Sequence, residues 1–177
     1  MITAAQLLKI MPNAGTKAAL YAPLLSNAMV EFDIDSPGRQ AAFLAQLAHE
    51  SGELRYVREL ASGAAYEGRL DLGNTEPGDG PRFRGRGLIQ ITGRHNYIAC
   101  SNALFDDGQV LLREPELLEV QVNAARSAAW FWRSRKLNTL ADMGKFREIT
   151  RKINGGYNGL VERERYWVRA KTVLGVL

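Results

Sequence analysis

The sequence predicts a mainly α fold in a single domain. Apolar residues recur at helical spacing over several stretches, helix start and stop residues flank those stretches, and one short apolar run at residues 88–92 reads as extended. A length of 177 residues suits one domain, and 46% hydrophobic with 24% charged residues is ordinary for a packed globular chain.

The elements follow in order. Thr3 is placed to cap a short helix carrying Leu7, Leu8, Ile10 and Met11. Thr16 is placed to cap a second helix, which Pro23 is expected to kink or split. Ser36-Pro37 is a strong start signal, with Ser36 as cap and Pro37 in the first helical position; that helix should run to about Ser51 and stop at Gly52. Residues 61–87 carry seven glycines and read as a long irregular segment. Residues 88–92 read as a short strand or buried extended segment closed by Gly93. Helical spacing returns from Val120 to Trp132, over 145–153 and over 160–173, the last two separated by Asn154-Gly155-Gly156. An irregular stretch as long as 61–87 is uncommon in a compact domain and is often functional.

Composition narrows the function. One cysteine, Cys100, excludes a disulfide framework and a multi-cysteine zinc site; two histidines leave little for a histidine metal centre. No apolar run is long enough to span a membrane, and the first residues lack a secretory signal, so synthesis in a reducing cytoplasm is expected. Net charge is +4, and residues 151–177 hold six basic against two acidic side chains. A basic surface favours encounter with polyanions.

Glu50 stands out. In the helix from Pro37, the residues Phe43, Leu47, Glu50 and Leu54 fall on one stripe if the helix holds that far. A carboxylate there either stays protonated through desolvation or is held by a partner, and a proton held near neutral pH is what a general acid needs. Glycosidic hydrolysis needs a second carboxylate, about 6.5–9.5 Å away for inversion. Glu53, Glu59 and Glu67 are the nearby candidates. On a continuous helix Glu59 would lie about 13.5 Å further along and on the opposite face. If Gly52 ends the helix, residues 54–60 can fold back as an extended strand and carry Glu59 across a cleft, with Arg55 and Arg58 keeping it ionised.

The run Ala48-His49-Glu50-Ser51-Gly52, then Tyr56-Val57-Arg58-Glu59, then residues 82–97 through Arg84-Gly85-Arg86-Gly87-Leu88-Ile89-Gln90-Ile91-Thr92-Gly93, resembles glycoside hydrolase family nineteen, and within it the short endolysins of bacteriophages and prophages. Ala129-Trp130-Phe131-Trp132 and Ile153-Asn154-Gly155-Gly156 match two further family segments in the same order. The resemblance implies a lysozyme-like, two-lobed single domain over 1–177, with a central cleft, a small irregular or β element and no separate wall-binding module. It implies a muramidase acting on β-1,4 bonds of peptidoglycan glycan strands by single displacement with inversion and without a cofactor or metal. Glu50 is then the acid, Glu59 the base and Thr92 the residue that orients water. Glu67 is the alternative base, because plant members place theirs in a longer insertion. Gln90, Tyr97 and Asn154 are expected to line the cleft with sugar-binding groups, and Arg86 is carried with them as a candidate. Lysis would depend on a membrane-permeabilising holin, the enzyme waiting as a monomer in the host cytoplasm and inserting in no membrane.

Chitin shares the β-1,4 N-acetylglucosamine geometry, so a chitinase is the nearest alternative. Nucleic-acid binding is the alternative of another class, prompted by Arg82, Arg84, Arg86 and Arg94 beside Phe83. It leaves Glu50 unexplained. A zinc peptidase motif fails because Glu53 stands where the second histidine is required.

Overall fold

A computed structural model describes residues 1–176. Ten α-helices lie among them: α1 (Ala4–Ile10), α2 (Lys17–Glu31), α3 (Pro37–Glu50), α4 (Asp79–Arg82), α5 (Arg94–Phe105), α6 (Val110–Arg113), α7 (Gln121–Ser134), α8 (Leu137–Asp142), α9 (Phe146–Asn154) and α10 (Leu160–Leu174). Short 3-10 turns fill in at Pro12–Ala14, Ala64–Tyr66, Leu70–Leu72 and Pro115–Glu119.

Helix α3 is the axis of the fold. Residues 41–48 are buried without interruption, so this helix is enclosed on all sides rather than amphipathic. Its alanines let neighbours approach closely, and α10 packs along it while α1 and α8 close other sides. Helix α7 brings a second run of small buried residues, Ala124, Ala125, Ala128 and Ala129, against α2 and α5. Trp132 joins α7 to α3, its fully buried ring 5.5 Å from that of Phe43 in edge contact, with Nε1 donating to Asn138. Burying such a ring is favourable by about 1.5–3 kcal/mol. Cys100 is a buried hydrophobe in α5, and burial pushes its thiol up to about 12.

Two caps match the sequence. Thr3 and Gln6 form a reciprocal capping box, and the Ser36 side chain accepts from the Arg39 N–H at 3.2 Å. Thr16 makes no cap hydrogen bond, and α2 passes through Pro23 in one piece. A proline costs one backbone bond there, and the buried positions Tyr21, Ala22, Leu25 and Ser26 around it hold the helix. Residues 88–92 are not a strand: 87–90 form a turn whose ends, Arg86 and Ile91, exchange both backbone hydrogen bonds at 3.1 and 2.8 Å. The segment is buried as expected, with Leu88, Ile89 and Ile91 in the core.

Candidate active site

Glu50 is the last residue of α3. The apolar setting expected for it is corrected: its side chain is 19% exposed, and its neighbour is a cation on α10. Arg163 Nη2 lies 2.6 Å from Glu50 Oε1, a charge contact made outside hydrogen-bond geometry. Arg163 is itself 1% exposed, so it leaves the basic surface to which its sequence position assigned it. Its Nη1 donates to Gln46 Oε1 at 2.6 Å, and Gln46 Nε2 donates to Thr150 on α9 at 2.7 Å. A polar chain through α10, α3 and α9 thus ends on Glu50. Beside it, His49 Nδ1 is 2.5 Å from Glu162 of α10. The ring packs on Gly159, where any Cβ would collide with it and where φ is +70°.

Past Glu50 the chain reverses sharply. Gly52, Glu53 and Leu54 all hold positive φ, at 56°, 58° and 69°. For the two non-glycine residues this conformation costs on the order of 1–3 kcal/mol each. Residues 54–60 then fold back, the course open to them once the helix ends before Gly52, but not as a strand. A single bridge joins Arg58 to Arg86, flanked by Glu59 N–H to Gly85 O and Gly87 N–H to Val57 O, both 2.9 Å.

These bonds fix Glu59. Its Oε1 accepts from the Tyr66 hydroxyl at 2.9 Å and its Oε2 from the Gly85 N–H at 3.1 Å. The arginines expected to hold it do not: Arg58 reaches Glu119, and Arg55 lies over the Tyr56 ring. Burial, with the hydrogen bond to Glu59, raises the Tyr66 phenol above its ordinary 10.0, so it remains a donor at neutral pH. Gln90 adjoins Glu59 across Gly85: a Cβ on Gly85 would stand 2.7 Å from Gln90 Oε1 and 3.2 Å from Glu59 Oε2. A side chain at this position would displace the Gln90 amide. Thr92 Oγ1 donates to the Gln90 carbonyl at 2.9 Å, which ties the third residue of this cluster to the second.

Glu67 is placed differently. Its two oxygens accept from the Gly78 and Gly80 N–H groups at 2.6 and 2.8 Å, which makes it a clasp for its own loop. Tyr97 and Arg86 are also internal fixings. Tyr97 is fully buried, its hydroxyl donating to Arg84 O at 2.7 Å and accepting from Arg86 Nη1 at 3.0 Å. Arg86, 4% exposed, also binds Glu119 at 2.9 Å and Arg82 O at 2.7 Å. Neither presents a free polar group to solvent, because each is buried and bonded to its neighbours. Asn154 ends α9, one turn beyond Thr150 and on the same face, and its buried Nδ2 has no partner among the described residues.

Sequence reasoning missed Arg163, Gln46 and Tyr66 as site residues; Glu53, weighed there as a second carboxylate, is buried instead. Arg163 had a readable signal: with Tyr166 and Ala170 it forms an i, i+3, i+7 series on the buried face of α10. Tyr66 had none, since its contact with Glu59 depends on the folded loop.

No family model matches the chain. A glycosyl hydrolase family 19 domain-containing protein of Haemophilus influenzae is 35% identical over 157 residues, covering 71% of this chain and 74% of the relative. Two endochitinases of Arabidopsis thaliana are 38% and 36% identical, and the chain spans less than half their length, 39% and 48%. Among solved structures, chitinase C from Streptomyces griseus superposes with a TM-score of 0.78 at 25% identity, covering 98% of this chain and 76% of that one. A bacterial family 19 chitinase gives 0.81 over 99% and 96%, at 23% identity, a likeness of fold. The lysozyme-like fold and the sequence kinship together identify the chain as a member of glycosyl hydrolase family 19, a chitinase-like glycoside hydrolase.

Proposed function

We propose that the protein is an endolysin-type muramidase that hydrolyses the β-1,4 bond between N-acetylmuramic acid and N-acetylglucosamine in bacterial peptidoglycan. Glu50 donates a proton to the glycosidic oxygen. Glu59 takes a proton from a water that attacks the opposite face of the sugar, giving single displacement with inversion. Thr92 orients that water, while Gln90 and the unpartnered amide of Asn154 hold the N-acetylated sugars. The carrying observation is the fixed carboxylate of Glu59, held by Tyr66 and the Gly85 N–H beside Gln90, nine residues after an acid tied to Arg163.

The +4 charge supports an anionic wall as the target. Arg82, Arg86 and Arg94 have internal partners in Leu112 O, Glu119 and Asp79, which removes most of the guanidinium cluster that nucleic acid would need. The enzyme would act after a holin opens the membrane, passing from host cytoplasm to wall as a monomer. A chitinase is the second reading, favoured by the names of the plant and bacterial relatives. Purified protein incubated with permeabilised Gram-negative cells and, separately, with chitin oligomers decides. Lysis with muramic acid at the new reducing ends supports the muramidase; cleavage of chitin alone supports the chitinase.

A further inference from the structure

Glu53 takes no part in the proposed chemistry, yet its carboxylate is enclosed and fully bonded. It is 7% exposed. Oε1 accepts from the Tyr166 hydroxyl at 2.7 Å and from Asn13 Nδ2 at 2.9 Å, and Oε2 accepts from the Asn13 N–H at 2.5 Å. Its own N–H donates to Ala48 O of α3 at 2.7 Å. Glu53 is also the middle of the three residues with positive φ that follow Glu50 and Ser51. Such a conformation persists only where its surroundings hold it, and it collects at functional sites. The surroundings here are specific. Ser51 Oγ donates to Leu47 O at 2.7 Å and accepts from the Leu54 N–H at 2.8 Å, while the Glu53 side chain anchors the other side of the turn.

The partner matters as much as the turn. Tyr166 lies three residues after Arg163 on the buried face of α10, and Glu53 lies three residues after Glu50. One carboxylate therefore ties the two segments together just beyond the two groups that meet at the acid. If that grip loosens, the strained turn can relax and α10 can slide, and either motion separates Arg163 from Glu50. A simple anchor for the N-terminal segment would need only the Asn13 bonds. It would not account for the bond to Tyr166.

We propose that Glu53 is a positioning residue, which fixes the left-handed turn and the register of α10 so that Arg163 engages Glu50. The proposal rests on the reading of Glu50 as the acid.

The test compares Glu53→Ala, Glu53→Gln and Tyr166→Phe with Glu50→Gln, each assayed for kcat and KM on the soluble glycan that the parent cleaves, with thermal melting in parallel. Glu53→Ala should lose at least about tenfold in kcat with KM changed less than about twofold, because binding groups are untouched. Glu53→Gln should restore kcat to within about threefold: its carbonyl oxygen can accept from the Asn13 N–H while its NH2 donates to the Tyr166 oxygen and to an Asn13 carboxamide turned over to present Oδ1. Tyr166→Phe should fall between them. A folded Glu53→Ala protein with parental kcat, a loss confined to KM, or a Gln variant no better than Ala would overturn the positioning role. Should Glu53→Ala fail to fold, an undiminished kcat in folded Tyr166→Phe overturns it instead. Activity surviving in Glu50→Gln would sink the acid assignment itself, whereas a dead Glu50→Gln beside a fully active Glu53→Ala would sink only the positioning role.

Discussion

Arg163, closing the first turn of α10, holds its guanidinium 2.6 Å from the carboxylate of Glu50 at the end of α3. The two residues are far apart in sequence, and Arg163 is enclosed while Glu50 is partly open to solvent. Removing Arg163 leaves Glu50 without its cation and the buried Gln46 Oε1 without its donor, at a cost of about 1–3 kcal/mol. Arg163→Met is expected to lower the melting temperature and the activity together. Arg163→Lys keeps the charge but not the fork that reaches Glu50, Gln46 and the Asn158 carbonyl at once. It should fold near the parent temperature and lose about tenfold or more in kcat, read by thermal melting and by steady-state hydrolysis.

Tyr66→Phe removes one of two donors to Glu59 and leaves the Gly85 N–H. A hydrogen bond to a charged group is worth about 1.5–3 kcal/mol, so hydrolysis should fall by about one to two orders of magnitude. The melting temperature should stay close to the parent, since the phenol is only partly buried.

Acid should loosen the loop that carries the site. Asp79, 1% exposed, takes two hydrogen bonds from Arg94 at 2.7 and 2.6 Å, and that guanidinium holds its carboxyl below the ordinary value of 3.8. A depressed folded value means that the stabilisation is complete above the unfolded pKa and is lost as pH falls through the folded one. Melting temperature should therefore drop below about pH 4, the ordinary range of a carboxyl. Asp79→Asn should be less stable than the parent at pH 7 and show a shallower decline in acid.

Much of the fold was legible because helix boundaries are written locally. Ser36-Pro37 starts α3 and Gly52 follows its end, as their side-chain chemistry requires. Helix α5 escaped notice because it starts after Gly93 without a side-chain cap, and its polar residues interrupt the apolar stripe. The run at 88–92 was apolar enough for a strand, but its pairing is set by Arg86 and Ile91 closing a turn, a relation that periodicity cannot express. The site was half legible. Glu50 stood out as a charge at an apolar position, and Arg163 carried the same mark. The settings of Glu59 and Glu67 were not legible, since both depend on which backbone N–H groups the folded loop turns toward them.

The most direct measurement compares hydrolysis by Glu50→Gln, Glu59→Gln and Glu67→Gln under one assay, with melting curves to confirm folding. The first two should fall by about three orders of magnitude or more, the scale of losing general acid or base, while Glu67→Gln keeps most of its activity. A folded Glu50→Gln that still cleaves would contradict the account, as would an active Glu59→Gln beside an inactive Glu67→Gln.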